Sequence, residues 1–405
     1  MILPQEFIEA NLSNDLKSLN DIIKSNFLLL NNLIEKKRDN RDWPIYHSLD
    51  LRVSNYKICH VDSNLFPSGF SHLSENGIEE SVNNFKKILY PYKKILILIE
   101  NFTRNQGYLE NILKLKHIIF RATNAEIEFA TIGADDNKLI QFHEIHLTVH
   151  KLKKKFNKAF IEKEGTPWYP DFILLNNDLT AELPLELEGI EQKISPNPNH
   201  GWHNRKKSEH FKIYNQLVTE LSEIIKFNPF FITTSFDIVK NVNFRNKMGF
   251  AELENTAIKI IDVLKEQYEN NKISQEPYIF LKSDKGTFGM GVIDILEINK
   301  ILKINKKDRH SMHAIKHGII NSEILIQEGI ITNQIFNESP SEKIIYSVNG
   351  EIVGEIIRYN NKKNNHQNLN SNGMSFLSLN QFNIEEGPGY INWFINKTAN
   401  LACSL

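Results

Sequence analysis

Apolar and polar positions recur along the chain with two periods, and the changes of period mark out its elements. Between residues 5 and 38, Leu12, Leu16, Leu19, Ile23, Leu30 and Ile34 belong to a set at helical spacing, which predicts two helices or one broken helix packed on something else. Trp43 to Val53 and Tyr56 to Val61 read as strands, followed by a polar turn over 62–70 with Pro67 and Gly69. Residues 77–90 are helical in pattern. From Lys94 a strand (Ile95 to Ile99), a helix (108–120) and a strand (Ala125 to Thr131) form a parallel strand–helix–strand unit, continued by the buried strand Asp171 to Leu175. Helices are expected over 208–225 and 250–270, with a strand at Phe230 to Ser235 between them.

The last third opens on the apolar run Tyr278 to Leu281, a loop, and a second short strand, Val292 to Ile295. A basic helical stretch (296–317) and the strand Ile324 to Ile330 come next. Two further strands, Lys343 to Val348 and Glu351 to Tyr359, turn at Asn349-Gly350, a strong hairpin signal. A polar, Asn-rich loop follows over 362–373. The fold class expected is α/β (α+β), and 405 residues allow two or three domains.

Composition narrows the function. With 48 basic and 49 acidic residues the net charge is −1, which gives no global electrostatic case for nucleic acid or a membrane surface as partner. Cys59 and Cys403 are too few for a disulfide framework or a cysteine-based zinc site. The opening residues lack the basic and apolar regions of a secretory leader, and no apolar run of about 18 residues occurs. A cytoplasmic location is expected. Oligomeric state leaves no signal.

The chemistry concentrates between Tyr278 and Asp294. Lys282 ends the strand, and the following loop carries Gly286, Gly289 and Gly291, whose backbone can approach a ligand closely. Amide donors on a flexible loop beside a point cation suit a triphosphate. The spacing is not that of a P-loop, because the loop leads into a strand and no Gly-Lys-Ser/Thr follows. Taken alone, an ordinary Gly-rich hairpin loop has the same signature. His200 and His203 lack a third ligand at metal spacing, so the stretch around Arg205, Lys206 and Lys207 reads as a basic loop before a helix. The polar residues Asn176, Asn177 and Asp178 end a strand of the parallel unit, the edge where ligands of open α/β sheets collect, although turn chemistry explains each of them too.

The succession of strand-Lys282, Gly loop, helix, strand with Gln327-Glu328, hairpin, Arg358 and Asn-rich loop resembles the ATP-grasp fold. More closely, the chain resembles the proteobacterial ATP-grasp type of glutamate–cysteine ligase, the first enzyme of glutathione synthesis. The likeness rests on VDSNLFPSGF (61–70), ENFTRNQGYLEN (100–111), PDFILLNNDL (170–179), GWHNRKKSEHF (201–211), KSDKGTFGMG (282–291), IQEG (326–329) and NLNSNGM (368–374), and spans nearly the whole chain. Ser283 and Lys285 stand where the family has small residues, and His366-Gln367 where it has an acidic pair.

The resemblance implies ATP-driven joining of glutamate, through its γ-carboxylate, to cysteine, with ATP and Mg²⁺ required and no nucleic-acid or membrane partner. It implies that Lys207 and Lys282 hold phosphates under the loop residues Gly286, Thr287, Gly289, Met290 and Gly291. Gln327 and Glu328 would flank adenine. Arg358 would stabilise the transferring phosphoryl group, joined at the chemical step by Lys282 and by Arg205, whose fork suits a substrate carboxylate. Asn368 and Asn370 would line the same site, with Arg104, Asn176, Asn177 and Asp178 toward the amino acids. The acidic pair that ATP-grasp ligases use for Mg²⁺ near the C-terminus has no match after Gly373. A match exists at the other end: Asp50, then Asp62 and Asn64, two apart on a strand and so on one face, with oxygen donors of the kind Mg²⁺ takes. An Asx-type turn before a proline is the alternative for that pair.

A circularly permuted ATP-grasp fold is therefore expected. Residues 1–92 would supply helices and strands that complete its sheet, 93–240 the preceding α/β substrate domain, and 241–405 the nucleotide-binding region. Another carboxylate–amine ligase, or a nucleotide-binding protein without ligase activity, are the competing readings. A kinase would need His-Arg-Asp and Asp-Phe-Gly motifs after the Gly loop, and neither is present.

Overall fold

The computed structural model describes residues 6–101, 105–133, 137–143, 145–285, 291–313, 321–379 and 382–405. Three main sheets organise it, with a small three-stranded sheet beside them. A six-stranded sheet runs in the order Lys193–Ser195, Phe172–Asn176, Lys94–Ile99, Glu126–Thr131, Ile145–Lys151 and Lys138–Phe142. All neighbours in it are parallel except the last pair. The strand–helix–strand unit read from the pattern is present as Lys94–Ile99, the helix Gln106–Thr123 and Glu126–Thr131.

The four-stranded sheet carries Ile279–Ser283 between Val292–Ile295 and Ile324–Glu328, with Phe236–Val239 on the outside. The helix Phe250–Asn270 covers it by burying Leu253, Ala257, Ile260, Ile261 and Leu264, one apolar stripe at helical spacing. The stretch Phe230 to Ser235 is not the strand its apolar run suggested. Pro229 opens a short 3₁₀ turn there, whose first free amide, on Phe230, donates to the Asn228 side chain, and pairing starts only at Phe236.

The seven-stranded sheet is built from both ends of the chain. Ser339–Val348 and Glu351–Tyr359 form the hairpin, with Asn349 and Gly350 both at positive φ, as its two-residue turn requires. On the free side of Ser339–Val348 lies Tyr46–Val53, paired antiparallel from Tyr46 to Leu51, and beyond it Ile58–Asn64. Tyr46–Val53 is buried along its whole length because both faces are covered. Behind the sheet pack the helices Asn14–Ser25, Phe27–Arg38, Lys207–Ile225 and Gly389–Cys403. The last of these is buried on every side. No helix among the described residues is long and apolar enough to cross a membrane.

Candidate active site

Period-2 geometry places Ser48, Asp50 and Arg52 on the front face of their strand, while His47, Leu49, Leu51 and Val53 face the helices behind. The register then assembles a charged face. Asp50 stands opposite Asp62 on one side and Ile344 on the other, and Glu342 stands opposite Arg358. Arg358 donates from Nε to Glu342 (2.8 Å) and from Nη2 to both Glu342 (2.6 Å) and Asp50 (2.5 Å). Arg52 Nε lies 2.5 Å from the second Glu342 oxygen. Burial would raise the Glu342 carboxyl, but the two guanidinium groups override it and hold the group below its ordinary value. Asp50 goes the other way. Burial, with Glu342 and Asp62 beside it, pushes its carboxyl up against the pull of Arg358.

The opposite wall supplies cations. Lys282, at the end of Ile279–Ser283, donates to the Val61 carbonyl (2.9 Å) and to Gln327 Oε1 (2.8 Å). Burial lowers its pKa to about 8, with Asp62 pulling it back up and Lys207 pushing it down. Lys207, the first residue of its helix, ion-pairs with Asp62 and lies over the Trp202 ring. That pairing outweighs burial and lowers the Asp62 carboxyl. Asp284 ties the two lysines together. Its carboxylate accepts from the Ser208 amide and hydroxyl, both at 2.8 Å, and its carbonyl accepts from the Lys207 amide. The root of the Gly loop is thus fastened to the start of the helix that carries Lys207.

Two pockets meet on this face. The inner one is lined by Asp50, Arg52, Asp62, Lys207, Phe280, Lys282, Glu342, Arg358, Asn368 and Asn370, among others. The outer one, of about 310 Å³, runs toward the six-stranded sheet past Asn64, Phe66, Ser68, His72, Tyr108, Asp178, Trp202, Tyr346, Met374 and Phe376. Asp50, Asp62, Arg358 and Asn370 line both. A charged inner half and a mixed polar and aromatic outer half therefore share one wall.

Of the residues expected at the site, Asp50, Asp62, Lys207, Lys282, Arg358, Asn368 and Asn370 come together at the inner pocket, and Asn64 and Asp178 line the outer one. Others point elsewhere. Arg205 donates to the Ser63 carbonyl and hydroxyl. Asn176 holds Tyr46 and Pro67, and Asn177 caps its own turn through the Leu179 amide. Gln327 is buried between Lys282 and Thr234, and the Glu328 carboxylate is taken by Lys57 at 2.7 and 2.8 Å and by Tyr268. Gly291 lies at the loop's far root, at positive φ, its carbonyl accepting from the Ser283 amide. Arg104, Gly286, Thr287, Gly289 and Met290 lie outside the described residues. Arg52, Glu342, His72 and Tyr346 were not anticipated. The alternation in Ser48-Leu49-Asp50-Leu51-Arg52 could have found Arg52, whereas Glu342 needs the register of both flanking strands.

No three His, Cys, Asp or Glu among the described residues form a group that could hold a metal ion. The oxygen donors Asp50, Asp62 and Asn64 on one face fit a hard divalent cation only if ligands from bound phosphates complete its shell, which is the way Mg²⁺ is commonly held.

The family model for glutamate-cysteine ligase (GshA) matches residues 20–389. The chain belongs to that family. It is a ligase that forms a C–N bond between glutamate and cysteine. Among solved structures, a "putative gamma-glutamylcysteine synthetase" from Methylobacillus flagellatus KT is 25% identical, with a TM-score of 0.86 over 100% of this chain and 98% of that one. A D-alanyl-alanine synthetase A from Vibrio cholerae is 12% identical over 66% of each chain, with a TM-score of 0.32, too slight a likeness to build on. No curated protein matched.

Proposed function

We propose that the inner pocket takes Mg-ATP, that the outer one takes the amino acids, and that the ligation proceeds through γ-glutamyl phosphate. The observation that carries this reading is the shared wall: Asp50, Asp62, Arg358 and Asn370 border both pockets, so a phosphoryl group and a carboxylate can meet there. We read the fold as a circularly permuted ATP-grasp arrangement in which residues 1–92 complete the sheet of the nucleotide-binding region, 241–405. The α/β part, 93–240, precedes that region and contributes Asp178. The pairing of Tyr46–Val53 with Ser339–Val348 supports that reading.

Phosphoryl transfer asks a protein mainly for positioning and charge neutralisation. Lys207 and Lys282 hold phosphate oxygens. Arg358, already fixed by Asp50 and Glu342, faces the oxygens on which charge develops. Asn368 and Asn370 border the same space. Asp62 and Asn64, with Asp50, would hold Mg²⁺, which when bound neutralises the phosphates. The glutamate γ-carboxylate attacks the γ-phosphoryl group, ADP leaves, and the cysteine amine then displaces phosphate from the acyl carbon.

The test is ADP release from the purified protein with Mg-ATP, glutamate and cysteine, omitting each in turn, with the product mass measured. A γ-glutamylcysteine mass and dependence on all components is the expected result. ADP release without either amino acid, or with no coupled product, would count against the shared-wall reading.

A further inference from the structure

We propose that His72 is the catalytic base that takes a proton from the incoming cysteine amine. The inference rests on the acyl-phosphate reading above. An amino acid arrives with its amine protonated, and an ammonium group has no lone pair with which to attack. The site must therefore remove a proton, yet its most prominent carboxylates are engaged: Asp50 and Glu342 with Arg358, and Asp62 with Lys207.

Among the described residues, His72 is the one histidine lining the outer pocket. It ends the 3₁₀ turn Phe70–His72, and its carbonyl accepts from the Ser378 hydroxyl, which fastens the turn to the strand Ser375–Ser378. Its ring stacks on Phe376, with centroids 4.7 Å apart and planes 27° apart. Phe376 is the cross-strand neighbour of Arg358. The imidazole is thus one aromatic ring away from the guanidinium that faces the phosphoryl group. It is held in a plane by stacking and remains half-buried at the pocket wall.

The groups that bear on it come from several elements. Glu110, exposed on the helix Gln106–Thr123, is the charge that acts on the ring, and Tyr108 and Tyr346 line the same pocket. Arg358, Asp50, Asp62 and Asp178 are the charged residues across it. Burial lowers the imidazole pKa, with Glu110 opposing. The ring is therefore largely neutral at pH 7 and able to accept a proton.

The step balances as follows. The cysteine ammonium gives one proton to His72. Its nitrogen lone pair then attacks the acyl carbon and forms the C–N bond. The C–O bond to phosphate breaks, its electron pair leaves with phosphate, and phosphate carries off the second amine proton. One amide hydrogen remains.

The test compares two acceptors in the wild type and in His72→Gln and His72→Asn. Cysteine must be deprotonated before it attacks, whereas hydroxylamine is already neutral near pH 7 and gives γ-glutamyl hydroxamate from the same acyl phosphate. The expected result is a fall of about 100-fold or more in cysteine transfer, with hydroxylamine transfer retained and the acid limb of the cysteine pH profile moved to higher pH, toward the ionisation of the amine itself. Equal loss with both acceptors in both variants, or an unchanged acid limb, overturns the proposal. Failure of the wild type to form hydroxamate while it still joins glutamate to cysteine would overturn the acyl phosphate and this role with it.

Discussion

Arg358 and Asp50 lie 308 residues apart in the chain and 2.5 Å apart in the fold, guanidinium against carboxylate across an intervening strand. That strand contributes Glu342, so one buried fork joins three strands drawn from both ends of the chain. Replacing Arg358 by Leu leaves the buried Asp50 carboxylate without a cation and Glu342 with Arg52 alone, and should destabilise the protein by about 3–5 kcal/mol. Arg358→Lys keeps a charge but cannot span both acids. It should fold with a smaller loss, yet lower kcat by roughly 100-fold or more, as removal of a preorganised donor does. Denaturant unfolding and steady-state ADP release separate the two effects.

Lys282 predicts opposite pH trends for stability and for nucleotide binding. Its pKa is lowered from 10.5 to about 8 in the fold. Below pH 8 both folded and unfolded states carry the proton, and the folded state bears the cost of a buried charge. Between pH 8 and 10.5 the unfolded chain binds a proton that the folded protein has shed, so this residue's contribution to stability rises with pH. Mg-ATP affinity should fall over the same interval as the cation disappears. Lys282→Met should flatten both trends, measured by urea unfolding and nucleotide titration from pH 7 to 10.

Glu328 ends the strand expected to flank adenine but serves the core. Its side chain and that of Lys57 are almost fully buried, with the Lys57 ammonium also 3.9 Å from the centre of the Phe230 ring. Glu328→Gln should cost about 3–5 kcal/mol, because it strands a buried ammonium. The KM for ATP should stay near the wild-type value, since the carboxylate is turned toward Lys57 and Tyr268. A large rise in that KM with little change in stability would assign Glu328 to the nucleotide instead.

Asp62 offers the clearest probe of the cation. Asp62→Asn keeps the shape and one oxygen but removes the charge that faces Lys207. The Mg²⁺ concentration for half-maximal ADP release should rise about tenfold, while the fold survives, because the side chain is still a quarter exposed. An unchanged Mg²⁺ requirement would remove Asp62 from the proposed ligands.

Much of this was readable before the fold was known, and what was missed has physical reasons. The Asn349-Gly350 turn, the helix Phe250–Asn270 and the unit around Lys94–Ile99 are local, set by turn chemistry and period. Lys282 and Arg358 stood out because they end strands beside loops. Glu342 did not, since a lone acid in SPSEKIIYSV gains a role only when Arg52 and Arg358 flank it from two other strands. Arg205 looked free in sequence, but its fork is filled by Ser63. The helix Gly389–Cys403 went unread because burial on every side erases the periodic stripe.

Gly69 tests the outer pocket from its wall. A Cβ placed there would lie 1.9 Å from the Tyr346 hydroxyl and 2.7 Å from Cζ of the same ring. Tyr346 is nearly buried and packs edge-on against Phe70 at 5.4 Å, so the ring has little freedom to yield. Gly69→Ala should therefore push Tyr346 into the space between Asn64, His72 and Phe376. Overpacking of this kind costs about 1–3 kcal/mol. The KM for an amino-acid substrate should rise, with the KM for ATP unchanged, because Tyr346 borders only the outer pocket. Shortening the clashing partner in Gly69→Ala/Tyr346→Leu should restore stability, and amino-acid KM values of the double variant then report whether the ring itself contacts substrate.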